Sequence, residues 1–392
     1  MADFRYLIVG GGMTADAAVR GIRLTDRTGS IGVISGEPYP PYNRPPLSKA
    51  LWKGEPVSGI WRGTPLEILE MILSRKVVRL DAEEKRVFDG GGNSYTYGKL
   101  LLATGGRPRR LAPDAGGVIY YRTLDDYTTL KELSDKGGSF AVIGGGFIGA
   151  EIAAALAMNG RPVTMIFPGE TVGGGAFPPP LGRFLNGYYR EKGVVLVTGG
   201  SVSGIERRGG KFIVRTPGGE LPPVDGVVAG IGIEPNTELA ASAGLSLENG
   251  IRVDTYLKTS HPDIYAAGDV ASFPWPVSGK IRRVEHEDNA VTMGTTAGRN
   301  MAGESVPYGH IPFFYSDLFD LGYEAVGELD ARLDVVPVWK EEFREGVVYY
   351  LDAGRIRGVL LWNTWGKVDA ARALLTEDAR RSPEELPGLI GA

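Results

Sequence analysis

The chain contains no cysteine, and that absence removes more chemistry than any other feature of its composition. Without a thiol there is no structural disulfide, no CxxC redox pair and no Cys-held zinc or iron–sulfur cluster. Any electron chemistry must therefore be carried by a bound cofactor. Histidine is nearly as scarce, at 3 of 392 residues, which argues against a histidine-rich metal site. No apolar run approaches the roughly 20 residues needed to cross a bilayer. The opening MADFRYLIVGGG lacks the basic, apolar and small-residue regions of a signal peptide, and its apolar stretch runs straight into glycines as a buried strand would. These absences predict a cytoplasmic protein without a transmembrane segment. Positive charge is not in surplus either: a net charge of -4 gives no global field for nucleic acid. RPRRL from Arg107 and RRSPEEL from Arg380 are short basic runs that solvation explains. The 43% hydrophobic content is ample for the two or three domains that a chain of 392 residues suggests.

Glycine is abundant, and its placement is informative. Some of the 58 glycines sit in polar turns between runs such as KRVFD and KFIVRT, a hairpin pattern. Two clusters instead follow short aliphatic strands and open Ala-rich helices, YLIVGGGMTADAAVRGI from Tyr6 and FAVIGGGFIGAEIAAALAMNG from Phe140. They read as one supersecondary unit duplicated about 135 residues apart, not as a short-period solenoid. In the first, Gly10, Gly12 and Ala15 match the dinucleotide fingerprint, with Thr14 beside them. Gly10 serves the tight turn, Gly12 the approach of a pyrophosphate, and Ala15 the packing of helix on sheet. The helix N-terminus then offers free N–H groups to phosphate. The next strand, SIGVIS, leads to Glu37, near the spacing at which an acid binds ribose hydroxyls. Alone, the glycine string describes an ordinary turn equally well; strand, helix and acid together favour the nucleotide.

The second unit repeats this logic at Gly144, Gly146 and Gly149, with Phe147 and Ile148 inside the loop. Its second strand, PVTMIF, ends at Phe167 where an acid would hold the ribose of NADH. Glu170 in the following loop is the substitute, and no nearby arginine offers a grip for the 2′-phosphate of NADPH. The expectation is therefore NADH, with NADPH left open. Two dinucleotide folds in one chain imply hydride transfer between a nicotinamide and a flavin. Pro-rich stretches at residues 38–46, 178–180 and 222–223 are rigid loops or crossings. The irregular GGGAFPPPLG from Gly173 reshapes the expected nucleotide entrance. After about Ile311, YEAVGEL, VVPVWK, GVVYYLD and IRGVLLWN alternate as antiparallel strands do, and VDAARALLTEDARR reads as a helix.

Eight strings carry a resemblance to a known family: YNRPPLSKALW, LLATGGRPR, YRTLDD, GGGFIGAEIA, VVAGIGIEPN, IYAAGDVA, RRVEHEDNA and GVLLWN. The chain resembles the FAD-dependent pyridine-nucleotide oxidoreductases of the ferredoxin/rubredoxin-reductase type, and within them the apoptosis-inducing factors. The resemblance implies that Ala103, Thr104 and Gly105 lie at a crossing close to the flavin, and that Asp269 binds the ribityl chain. It implies FAD contacts for Arg44 and Arg122, where a guanidinium can fork onto phosphate, and for the backbone of Val77 at the adenine. Lys49 and Glu151 match a pair beside the reactive edge of the isoalloxazine, where an ammonium favours the anionic reduced flavin. Spacing alone would describe an ordinary solvated ion pair. Glu285 and His286 match residues that reach flavin and nicotinamide, with His286 positioning and not shuttling protons. Phe147 is matched to stacking at the nicotinamide, although an aromatic there also serves a core. Gly232 belongs to the nucleotide set. Tyr315 stands where relatives commonly have tryptophan beside the flavin.

The implied fold is α/β, with two doubly wound Rossmann-like dinucleotide-binding domains and a C-terminal α+β domain. The FAD domain would comprise residues 1–108 and 237–308, the NAD(P)H domain 109–236, and the third domain 309–392. The implied function is an FAD-dependent NAD(P)H oxidoreductase without a redox disulfide. Its acceptor would be a ferredoxin- or rubredoxin-like protein, a quinone or a small oxidant, and a homodimer is left open. The competing reading is a redox sensor in which a long-lived reduced flavin–NAD complex controls association.

Overall fold

A computed structural model describes residues 2–112, 116–377 and 379–391. The chain divides into two compact units. One comprises Met1–Asn43, Val57–Arg107 and Glu234–Pro312; the other comprises Arg44–Pro56, Pro108–Ile233 and Phe313–Ala392.

The first unit is built on a seven-stranded sheet. Ala2–Val9 lies at its centre, parallel to Ile31–Ile34 on one side and to Ser94–Leu102 on the other. Glu70–Ile72 extends the first side in parallel. The long strand Ser94–Leu102 is shared along its outer edge. Its start pairs with the antiparallel hairpin of Val77–Asp81 and Arg86–Asp89, and its end with Ile264–Ala266 in parallel. The buried run YLIV of Ala2–Val9 suits a strand covered on both faces. Strand order reverses on either side of Ala2–Val9, so the carboxyl ends of Ala2–Val9 and Ser94–Leu102 form a topological switch point, the usual seat of a ligand in such sheets. The helix Met13–Thr25 lies close against Glu287–Met301. Gly298 permits this approach, since a Cβ there would stand 2.2 Å from the Ala18 carbonyl oxygen.

The second unit contains an all-parallel sheet ordered Val194–Thr198, Val163–Phe167, Phe140–Ile143, Gly226–Ala229 and Ile119–Tyr120. The hairpin Gly204–Arg208 and Lys211–Thr216 covers one of its faces through Ile205, Phe212 and Val214. The same unit includes a five-stranded antiparallel sheet ordered Phe313–Leu318, Leu321–Gly327, Arg355–Trp362, Glu345–Asp352 and Asp334–Glu341. The expected fold class is thus present.

Two local expectations differ from the structure. The C-terminal helix spans Val368–Thr376 and does not continue through the following basic residues. Its C-cap Glu377 is extended, the Arg381 N–H is committed to the Gly354 carbonyl, and Ser382 caps a short turn begun by Pro383. Asp378 lies outside the described residues. The segment Arg44–Pro56, included in the expected FAD domain of residues 1–108, groups with the second unit. Asn159 Nδ2 donates to the Trp52 carbonyl, and the Trp52 ring meets Tyr127 edge-on. Among the described residues, no helix is long and apolar enough to cross a membrane.

Candidate functional site

The two glycine loops share one backbone construction. Gly10 and Gly144 both hold φ at +119°, which only glycine adopts freely. Each donates its N–H to the neighbouring strand, Gly10 to Ile34 and Gly144 to Ile166, both at 2.9 Å. A Cβ on Gly10 would stand 2.1 Å from the Ala103 carbonyl oxygen, and one on Gly144 2.3 Å from that of Gly230. Each loop is thus wedged against the residue just past the neighbouring strand of its own sheet, Ala103 in the first unit and Gly230 in the second. The next glycines behave oppositely. A Cβ on Gly12 or Gly146 would meet nothing within 4 Å, so each loop opens onto free space. Both residues cap a helix without any side-chain cap bond. The N–H groups of the first two helical residues therefore face no side-chain cap and, together with the positive end of the helix dipole, suit anionic oxygens. The residues fit a dinucleotide pyrophosphate at each loop.

Other expected residues gather around the first loop. Thr14 and Ala15 are buried in the helix start. Ala103 donates its N–H to Val9, and Thr104 and Gly105 follow it. Gly268 sits against Thr14, because a Cβ there would stand 2.3 Å from Thr14 Oγ1; this brings Asp269 to the same place. Glu37 accepts a hydrogen bond from the Tyr42 hydroxyl at 2.6 Å, and its carbonyl accepts from Ser74. Val77 begins the strand just after that contact. Around this loop the sequence reading missed three residues. Asn236 clamps the crossing: its Nδ2 donates to the Thr104 carbonyl, and its own carbonyl accepts from Thr104 Oγ1, both at 2.8 Å. Arg283 donates to the Asp269 carbonyl at 2.9 Å and pairs with Glu285 at 2.7 Å. Asp16, 1% exposed, gathers Arg20, Arg62 and Thr64.

His286 stands at the N-cap of Glu287–Met301. Burial lowers its imidazole to about 4, against the opposing pull of Asp269 and Asp288. The ring is neutral at pH 7, which suits positioning. Because the unfolded imidazole binds its proton first, near 6.5, the stability tied to this group is present above pH 6.5 and is lost as pH falls toward 4. Replacement His286→Asn is expected to flatten the fall in the urea midpoint between pH 6.5 and 4 by about one proton's worth. An unchanged slope would show that His286 titrates normally.

In the second unit, Phe147 and Ile148 are partly exposed at the loop mouth, Phe147 with its ring 5.2 Å from that of Phe314. Gly149 permits close helix packing: its Cβ would stand 2.1 Å from the Gly144 carbonyl. Gly232 accepts from the Arg109 N–H. Glu170 is exposed, on a loop fixed by Asn186, which accepts from the Val172 N–H and donates to the Glu170 carbonyl. Arg44 donates to the Arg122 carbonyl at 2.8 Å, bringing those two together.

Lys49 and Glu151 pair at 2.8 Å with side chains only 9% and 3% exposed, so the pair is not a solvated surface contact. Glu151 carries more than the lysine. Ser48 donates to Oε2 at 2.5 Å and Ser316 to Oε1 at 2.6 Å. The Lys49 ammonium also lies 5.0 Å from the Tyr315 ring centre. Neighbouring Tyr189 and Tyr323 are pushed well above the ordinary phenol range by burial first and by the Glu151 charge second. The result is a buried ammonium held by one carboxylate that two hydroxyls orient.

Two dinucleotide cradles, a buried Lys–Glu pair and no thiol define a flavin- and nicotinamide-dependent electron-transfer protein. The chain belongs to the pyridine nucleotide-disulphide oxidoreductase family, whose pattern matches residues 4–294. Residues 297–342 and 337–377 match the C-terminal part of mitochondrion-associated apoptosis-inducing factor. Apoptosis-inducing factor 1 of Dictyostelium discoideum is 34% identical over 98% of this chain and 80% of its own length. A ferredoxin reductase subunit of 5,5'-dehydrodivanillate O-demethylase from Sphingobium is 34% identical over 98% of this chain and 96% of its own. The solved covalent putidaredoxin reductase–putidaredoxin complex aligns with a TM-score of 0.91 at 30% identity, over 98% of this chain and 96% of that one. The chain is an FAD-dependent oxidoreductase that uses a nicotinamide dinucleotide.

Proposed function

We propose that the chain takes hydride from NADH onto FAD and passes electrons to a one-electron protein acceptor of the ferredoxin or rubredoxin type. The observation that carries this reading is the pair of open glycine cradles in a chain that has no cysteine. Bound FAD supplies the step from two-electron to one-electron chemistry. The chain's own residues bind and orient. Gly12 and Thr14 would offer the helix start to the FAD pyrophosphate, Gly10 would set the turn and Ala15 the helix packing, with Glu37 at the ribose and Asp269, steadied by Arg283, at the ribityl chain. Arg44 and Arg122 would meet phosphate oxygens. Gly144, Gly146 and Gly149 would hold the nicotinamide dinucleotide, Phe147 its ring and Glu170 its ribose. Lys49 would stabilise negative charge developing on the flavin, and Glu151 would hold the ammonium in place. The names of two relatives, a ferredoxin reductase subunit and a reductase complexed with putidaredoxin, support the acceptor class.

The test mixes FAD-loaded protein with NADH, then NADPH, without oxygen, and follows flavin bleaching. Rapid bleaching by NADH, and reoxidation faster by a ferredoxin-type protein than by air, is the expected result. A second reading draws on the match to the apoptosis-inducing factor C-terminal region. A bleached state that outlasts both acceptors for minutes would favour that redox sensor. Bleaching by neither nucleotide would sink both.

A further inference from the structure

We propose that the Tyr350 hydroxyl is a positioning group for the nicotinamide dinucleotide, acting through the glycine-rich segment that braces the second glycine loop. This rests on the reading that Gly144, Gly146 and Gly149 hold that nucleotide. The segment GGGAF at residues 173–177 contains Gly173 and Gly175 at positive φ, a sequence that loses much backbone entropy on ordering. Besides bonds within the turn itself, three hydrogen bonds tie it to distant parts of the chain. Tyr350, fully buried in Glu345–Asp352, donates its hydroxyl to the Ala176 carbonyl at 2.7 Å. Ala331 donates its N–H to the Gly175 carbonyl at 2.9 Å. Gly173 donates its N–H to the Gly145 carbonyl at 2.8 Å, inside the glycine loop itself.

Ring packing follows the same line. Phe177 stands edge-on to Tyr323 at 5.4 Å and to Trp362 at 5.7 Å. Tyr323 also contacts Phe147, at 6.3 Å, on the other side of the loop. The antiparallel sheet thus holds the loop from two sides: aromatic rings at Phe147, and a hydrogen-bonded segment behind Gly145. Burial raises the Tyr350 phenol far above its ordinary value, so it stays a donor at every working pH. The Tyr350 hydroxyl is spent on the Ala176 backbone and acts through the segment, not on a reacting group. The effect belongs on binding and not on the chemical step.

The experiment uses FAD-loaded protein, reduced by NADH over a concentration series in anaerobic stopped flow. Tyr350→Phe removes one oxygen and is expected to raise the apparent Kd for NADH about five- to tenfold. The limiting reduction rate should stay within about twofold. Gly173→Ala disturbs the segment from its other end. Its Cβ would stand 2.2 Å from the Phe177 ring at φ +69°, so it should raise Kd in the same direction. Tyr349→Phe is the control. It is equally buried, and adjacent strand residues face opposite sides. Its phenol interacts with the Ile390 backbone, so its Kd should match the wild type. A Tyr350→Phe protein with unchanged Kd overturns the proposal. So does one whose limiting rate falls in place of its affinity, or whose weakening is matched by Tyr349→Phe. If neither nucleotide reduces the wild type, the dinucleotide reading fails and this inference with it.

Discussion

Replacing Gly12 with valine should give a folded protein that holds no flavin, and replacing Gly146 with valine a folded, yellow protein that NADH no longer reduces. Both positions are extended, at φ -89° and -81°, so valine enters without backbone strain. A Cβ at either would meet no protein atom within 4 Å, so the fold has no reason to fail. The added methyls would instead occupy the space over the first-turn amides. Charge-assisted bonds to phosphate are worth about 1.5–3 kcal/mol each, and losing two of them weakens binding on the order of a hundredfold or more. Gly10→Val makes the informative contrast. Its Cβ would stand 2.1 Å from a backbone carbonyl at φ +119°, so this variant should fail to fold. Circular dichroism, flavin absorbance per chain and anaerobic reduction separate the three. A Gly12→Val protein that retains one flavin per chain would show that this loop is no phosphate cradle.

The turn geometry of the two glycine loops was legible because it is local. Turn, approach and helix start fall within six residues, with a strand before them and a helix after. The strands of the C-terminal sheet were legible for the same reason, since alternation is read within one segment. What escaped lies far apart along the chain. Asn236 meets Thr104 across 132 positions, and Ser316 meets Glu151 across 165. No periodicity connects such residues; only the closed fold does. Arg283 was hidden otherwise. It stood inside a quoted string, RRVEHEDNA, whose acid and histidine drew attention, whereas the arginine is what binds both the Asp269 carbonyl and Glu285. Chain order does not reveal where Arg44–Pro56 packs. Ser48, Lys49 and Trp52 hold that stretch to helix Phe147–Met158 and its C-cap Asn159, so it belongs with the second unit.

Among single substitutions that spare the glycine loops, Glu151→Leu should cost the most. The carboxylate is 3% exposed and is the acceptor for Lys49, Ser48 and Ser316 at once. Leucine would leave an ammonium buried without a counter-charge and two hydroxyls without their partner. Breaking a buried pair this way costs about 3–5 kcal/mol, a fall in Tm on the order of 10 °C. Lys49→Met should cost less, because Ser48 and Ser316 still satisfy the carboxylate. The double variant Lys49→Met with Glu151→Leu should recover most of the loss, since a packed apolar pair often replaces a buried ion pair at little net cost. That recovery separates stability from function. If the ammonium serves the flavin, the double variant will fold as well as the wild type, yet accept hydride from NADH more slowly, on the order of tenfold or more. Thermal melts and anaerobic stopped flow on the four proteins complete the cycle. A stable double variant that is reduced at the wild-type rate would make Lys49 and Glu151 a structural pair alone.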